Sequence, residues 1–368
     1  MRAPEKLPPA RREALRSKLM AWWDAGHRAL PWRFPQGEAD PYRVWLAEVM
    51  LQQTQVAAVL PYYRRFVARF PSLEALAEAS EEEVLAHFDG LGYYARGRRL
   101  LLAAREAVAR HGGLPGSAEA LRALPGFGSY TAGAVASIAF GERTPCVDGN
   151  VARVLSRIFL VEGAPELART RQALWGLAGA LVPARRPGDF NQALMELGAT
   201  VCRKPAPRCE RCPVRGLCRA RRGGRQGEIP PPRSRRSKVL AVWACAVLRR
   251  RGAILLARRP AGLFGGLWAL PSAAVACGED PRAVLRRELG AAFQLEVRVG
   301  PELHTVERLL TRRRLRLTAY ECRARTVPPR RDLALWPEEG LGRIAVPAAM
   351  RRLLAGIGVE RSNPPQVG

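Results

Sequence analysis

Four of the chain's eight cysteines fall within seventeen residues, as Cys202-x6-Cys209-x2-Cys212-x5-Cys218. Four thiolates this close together can close around one metal centre, and Pro205, Pro207 and Pro213 suit a stiff, wrapped loop. Zinc and a cubane iron–sulfur cluster both take four thiolates, so ligand chemistry alone leaves both open. With every cysteine of the set engaged, no coordination position stays free, which points to a structural centre and not a catalytic one. Cys146, Cys245, Cys277 and Cys322 are scattered and read as small buried hydrophobes. Two carboxylates stand out elsewhere. Glu48 sits in the apolar run WLAEVML; burial there raises a carboxyl pKa and keeps the proton on, whereas a glutamate on an exposed helix face keeps its ordinary value. Asp148 opens DGNVARVLSR and fits a helix N-cap, a place that favours the ionised form. Two carboxyl groups in environments that push their pKa values apart can divide the roles of proton donor and anion.

These groups need elements to hold them. Leu124-Pro125-Gly126-Phe127-Gly128 runs into Ser129-Tyr130-Thr131 and resembles a helix-hairpin-helix. Gly126 and Gly128 let the backbone turn tightly, and amides at the next helix N-terminus can grip phosphate oxygens. Asp148 lies eighteen residues beyond Tyr130. Apolar spacing predicts helix over Val44–Val59, Glu81–Phe88, Arg99–Val108 and Val151–Phe159, within a helical domain covering residues 1–221. RARRGGRQGEIPPPRSRRSK (219–238) carries eight basic residues and three consecutive prolines, and reads as a solvated linker centred on 222–236. Beyond it, VLAVWACAVL, AILLA and the alternating RLRLTAYECRA predict strands, with a helix at PRAVLRREL. This second domain is α+β over 237–355, and 356–368 is a tail.

The formal charge of +27 favours a polyanionic partner such as nucleic acid. Nearly all of that charge is Arg, however, since Lys occurs only at 6, 18, 204 and 238. A genome-wide bias toward Arg would produce the same skew, so charge alone does not settle the partner. The first residues show no secretory apolar core, and no apolar run approaches the roughly 18 residues of a membrane span. The expectation is a cytoplasmic protein, nucleoid-associated if bacterial, acting as a monomer.

Several stretches together resemble one family. LPWR (30–33), DPYRVWLAEVMLQQTQV (40–56), GLGYYARGRRL (90–100), LPGFGSYTAGAVASIAFG (124–141), DGNVARVLSR (148–157) and NQALMELGATVC (191–202) are similar to the adenine DNA glycosylases, the MutY family. The 6-2-5 cysteine spacing resembles the [4Fe–4S] loop of the wider endonuclease III superfamily. The resemblance implies an all-α helix-hairpin-helix glycosylase domain carrying that cluster on Cys202, Cys209, Cys212 and Cys218. It implies double-stranded DNA with adenine opposite 8-oxoguanine or guanine as partner. It assigns Glu48 as general acid and Asp148 as the anion beside the sugar, with Tyr130 and Asn150 orienting groups around them. Bifunctional relatives place a Schiff-base lysine where Tyr130 stands. Gln52, Gln53 and Tyr93 match residues at the DNA gap or mispair, and Trp32, Arg33 and Gln192 match the base pocket.

PAGLFGGLWALP (260–271) resembles the start of the family's Nudix-like C-terminal domain. Nudix hydrolases hold Mg²⁺ on a glutamate-rich helix, but LRRELGAA offers only Glu288, too few carboxylates for such a site. In the family this domain reads 8-oxoguanine through an aromatic-Ser-His loop. Here HTVERLLTRRRL (304–315) puts Thr311 and Arg312 in that loop and lacks its histidine. Two other readings are a bifunctional glycosylase/AP lyase acting on oxidised pyrimidines and a non-enzymatic iron–sulfur DNA-binding protein.

Overall fold

The structure is a computed structural model describing residues 7–35, 37–91, 94–231, 239–258, 263–310 and 313–359. The chain divides into two compact units, Met1–Ala79 with Ala95–Ser234, and Ser80–Tyr94 with Arg235–Gly368. Helices α1 (Pro9–Ala25), α2 (Pro41–Leu51), α3 (Val56–Arg69) and α4 (Leu73–Glu78) precede α5 (Glu81–His87), which belongs to the second unit. The first unit resumes with α6 (Tyr94–His111), α7 (Ala118–Ala123), α8 (Ser129–Ala139), α9 (Gly149–Phe159), α10 (Ala168–Leu181), α11 (Pro187–Thr200) and α12 (Arg219–Arg222).

Local chemistry starts these helices. Asp40 accepts from the Tyr42 and Arg43 amides at 2.9 and 3.2 Å and caps α2, whose first position is Pro41. Asp148 caps α9 by accepting from Val151 N at 2.7 Å. Along α9, Val151, Val154, Leu155 and Ile158 recur at helical spacing. They bury against Leu15, Leu19 and Trp23 of α1, Leu174 and Leu181 of α10, and Leu194 and Leu197 of α11. Two glycines bring backbones into contact near the caps. A Cβ on Gly133 would lie 2.2 Å from Pro145 O, and one on Gly198 would lie 2.6 Å from Asn150 Cβ.

The helix expected over Val44–Val59 is two helices. α2 stops at Leu51, Gln53 takes a left-handed φ of 60°, and α3 begins at Val56. The break leaves carbonyls of the last turn of α2 open, and Arg96 Nη1 donates to Val49, Met50 and Gln52 O at 2.8, 3.1 and 2.6 Å. The solvated linker also needs correction over residues 222–231. Ile229 is buried and its carbonyl accepts from Arg157 Nε at 2.8 Å, while Arg225 pairs with Glu162 and Glu228. These contacts tie the segment to α9 and the turn after it; residues 232–236 lie outside the described residues. Of the isolated cysteines, Cys146, Cys245 and Cys322 are buried as expected, but Cys277 sits exposed in the turn after a strand.

The second unit has strands β1 (Val239–Val247), β2 (Arg249–Arg250), β3 (Ala253–Arg258), β4 (Trp268–Ala269) and β5 (Ser272–Val275), then helix α13 (Pro281–Phe293). They are followed by β6 (Arg298–Leu309), β7 (Arg313–Arg323), β8 (Leu333–Pro337) and α14 (Ala348–Gly356). One sheet is ordered β5-β1-β7-β6, with β1 and β7 parallel; the other runs β2-β3-β4 with β8 also on β3. Alternation along β1 sends Trp243, Cys245 and Val247 toward α14, and Ala244 and Ala246 toward α13. The result is the expected α+β layer structure.

Candidate active site

Glu48 projects from the middle of α2 and is buried. Burial pushes its carboxyl up to about 7. The Tyr130 hydroxyl, at the start of α8, donates to Glu48 Oε2 and partly offsets that rise, and Arg33 acts in the same direction. Asp148 adds a like charge that raises it further. Tyr130 also contacts Met195 Sδ at 3.3 Å, and burial holds its phenol well above the ordinary tyrosine range. Side chains from α2, α8 and the start of α9 therefore come together, Glu48 buried and Tyr130, Asp148 and Asn150 half-buried beside it.

Asp148 is held on both oxygens. Oδ1 accepts from Val151 N at 2.7 Å and Oδ2 from Asn150 Nδ2 at 2.8 Å. Sequence reasoning expected an ionised, N-capping carboxylate, but burial outweighs these donors and raises its pKa above the ordinary aspartate value. Asn150 is fixed in turn by Arg153, whose Nη2 donates to Asn150 Oδ1 at 2.9 Å and to Gly198 O at 2.8 Å. Cys146, also buried, feels both Glu48 and Asp148, and its thiol is raised well above its ordinary value, chiefly by burial.

A cleft of about 440 Å³ is lined by Trp23, Leu30, Arg33, Phe34, Arg186 and Gln192 among others. Arg33 and Gln192 thus both line this cleft. Trp32 is buried and packs edge-on against Tyr63 at 5.0 Å, as a core side chain does. Gln52, which ends α2, approaches Thr131 of α8 at 3.4 Å, beside Tyr130. Gly126 has φ +82°, and a Cβ there would meet Arg99 Cβ at 2.9 Å. Gly128 caps α8 with extended backbone. Tyr93, Thr311 and Arg312 lie outside the described residues.

Cys202, Cys209, Cys212 and Cys218 all line a single cavity between α9, the end of α11 and the loop before α12. Among the described residues no three His, Cys, Asp or Glu side chains converge closely enough to hold a single metal ion. Burial pushes the Cys212 thiol up to about 12, with the neighbouring sulfurs adding to the rise. Arg157 Nη1 donates to Cys202 Sγ at 3.3 Å, and Arg153 Nε to Cys202 O at 2.8 Å. Four soft thiol donors around one space, with Cys212 costly to ionise unpaired, suit a thiophilic metal centre.

Sequence reasoning missed Glu196, Arg28, Arg153 and Cys146. Glu196 lies one helical turn after Gln192 on α11, so i,i+4 spacing puts the two on one helix face. Nothing local marks Arg28 among so many arginines.

Comparison with known proteins accords with this geometry. The family model described as HhH-GPD superfamily base excision DNA repair protein matches residues 46–179, and the NUDIX domain matches residues 244–356. The chain is 45% identical to the Homo sapiens adenine DNA glycosylase over 312 residues, covering 70% of this chain and 57% of the human protein. It is 39% identical to the Mus musculus adenine DNA glycosylase over 398 residues, covering 92% of this chain and 77% of that protein. Among solved structures, a thermostable thymine-DNA glycosylase is 31% identical with a TM-score of 0.52, covering 58% of this chain and 98% of its own. With its helical base-excision-repair domain, its Nudix-like domain and these relatives, the chain belongs to the adenine DNA glycosylase family.

Proposed function

We propose that this protein removes adenine mispaired with 8-oxoguanine or guanine in double-stranded DNA, by hydrolysing the N-glycosyl bond without cutting the strand. The observation that carries this reading is a buried Glu48 raised to about 7, held by Tyr130 beside Asp148. The target base leaves the stack to reach such a buried site. Protonated Glu48 delivers its proton to N7 of adenine and then, as a carboxylate, activates water. Loss of the base leaves an oxocarbenium-like sugar. Asp148, fixed by Val151 N and Asn150, faces that developing charge as the anion; the positive sugar itself offsets the burial that raises its pKa. Arg33 and Gln192 shape the base pocket, while Gly126 and Gly128 let the hairpin approach phosphates. Tyr130 carries no amine, so no Schiff base forms to open the strand.

Cys202, Cys209, Cys212 and Cys218 would hold a [4Fe–4S] cluster. Held there, it would join the residues just after α11 to the loop before α12, with all four cysteines engaged and no ligand position left open. The protein would act as a monomer on DNA in the cytoplasm, at the nucleoid in a bacterial cell. The test is single-turnover base release from duplexes differing only in the base opposite adenine, with borohydride trapping alongside. Adenine release with no trapped adduct is the expected result. A trapped covalent adduct, or release confined to oxidised pyrimidines, would overturn the proposal.

A further inference from the structure

Glu196 of α11 is almost wholly buried and grips two guanidiniums at once. Arg28 donates through Nε to Oε1 at 2.6 Å and through Nη2 to Oε2 at 2.8 Å. Arg33 Nη2 donates to the same Oε2 at 2.8 Å. The second arm of Arg33, Nη1, is taken by Arg28 O at 2.8 Å, and its guanidinium stacks over Trp23 at 4.8 Å. Arg33 is therefore locked by three partners at the wall of the cleft that Gln192 shares. Bidentate pairing of the kind Arg28 makes is strongly directional, and it is anchored on the buried carboxylate although Arg28 itself is exposed. Two positive groups share one negative group, so the cluster carries one net positive charge within electrostatic reach of Glu48.

We propose that Glu196 is a positioning residue of the base pocket: it fixes the Arg33 guanidinium against the cleft wall and limits the positive charge that Glu48 feels. This deepens the adenine-excision reading and rests on it. Glu48 is faced by Tyr130 from α8, Asp148 from the cap of α9, Cys146 from the segment before that cap, and Arg33 from the segment before α2. Of these, only Arg33 is held by Glu196, and only Arg33 is a cation.

Changing the cluster's charge should move the proton affinity of Glu48 in opposite directions. Glu196→Gln keeps the shape but leaves two uncompensated guanidiniums, which favour the Glu48 carboxylate. Arg28→Ala leaves Arg33 and Glu196 as a neutral pair, which favours the protonated acid. In single-turnover excision measured across pH, the alkaline limb should move down by about one pH unit in Glu196→Gln and up in Arg28→Ala. Glu196→Asp, which retains the charge on a shorter arm, should lower the rate several-fold at every pH with the limb unmoved. The ¹³Cδ signal of Glu48, assigned by its loss in Glu48→Gln, gives the same shifts without requiring excision. That separates failure of this proposal from failure of the adenine reading. Uniform rate loss in Glu196→Gln, with neither limb nor signal displaced, would reduce Glu196 to a structural ion pair and overturn the proposal. So would displacement of Glu196→Gln and Arg28→Ala in the same direction.

Discussion

Glu48 stays substantially protonated up to about pH 7 because α2 buries it and Asp148 adds a like charge, against the pull of Tyr130 and Arg33. Glu48→Gln keeps the shape and loses the acid, so it should bind mispaired DNA while excising adenine about 10²–10⁴-fold more slowly. Asp148→Asn, which removes the anion at constant size, should fail similarly. Near-normal single-turnover rates in either variant would refute the role given to that residue. The same burial has an effect on stability. An unfolded Glu48 ionises near 4.5 and the folded one near 7, so between those values the folded chain holds a proton the unfolded chain has lost. Stability contributed by this group therefore falls as pH rises through that window, by up to about 3 kcal/mol above it. Glu48→Gln should melt higher than wild type at pH 8, with the gap closing toward pH 5; an equal gap at both would contradict the buried acid. By resemblance to the family, Thr311 and Arg312 are proposed to take the place of the loop residues that read 8-oxoguanine. Thr311 retains a hydroxyl, while Arg312 offers a charged fork suited to phosphate. Thr311→Ala should reduce lesion preference, and Arg312→Ala should reduce salt-sensitive affinity for either duplex. Loss of preference in Arg312→Ala with its salt slope intact would reverse the two roles.

At the scale of elements, the sequence marked what local rules govern. The N-cap at Asp148, the Gly126 turn, the strands of the second unit and the four-cysteine loop all carry their signals within a few residues. What was not legible depended on distant partners. Nothing in Val44–Val59 shows that the turn at Gln53 would end α2, because the cation that takes up its last carbonyls is Arg96, more than forty residues away. Gly and Arg density made 222–231 look wholly solvated, but Ile229 is buried and its carbonyl is tied to Arg157 of α9. Glu196 was hidden for the same reason: its two arginines lie far upstream. The cysteine loop yields a direct prediction. Purified protein should be yellow-brown with about four iron atoms per chain; a colourless, active protein with stoichiometric zinc would exclude the cubane.

On the scale of the whole molecule, the two units are not two successive halves of the sequence. α5 lies between helices of the first unit, yet its Leu85 is buried with Leu267 and Ala345, and Arg258 pairs with Glu81 and Glu82. Tyr94, just beyond it, donates to Asp89 and to Val346 O, at 2.8 and 3.2 Å. The second unit is thus assembled from two separate stretches of one gene. A recombination event or engineered fusion that joins a different C-terminal domain after residue 234 would bring a foreign surface to Leu85 and leave its old partners behind. Such chimeras should aggregate more than the parent in light scattering, and replacing residues 80–94 together with the domain should restore a single soluble species. If chimeras joined at the linker alone stay as monodisperse as the parent, α5 is not part of what must be inherited together.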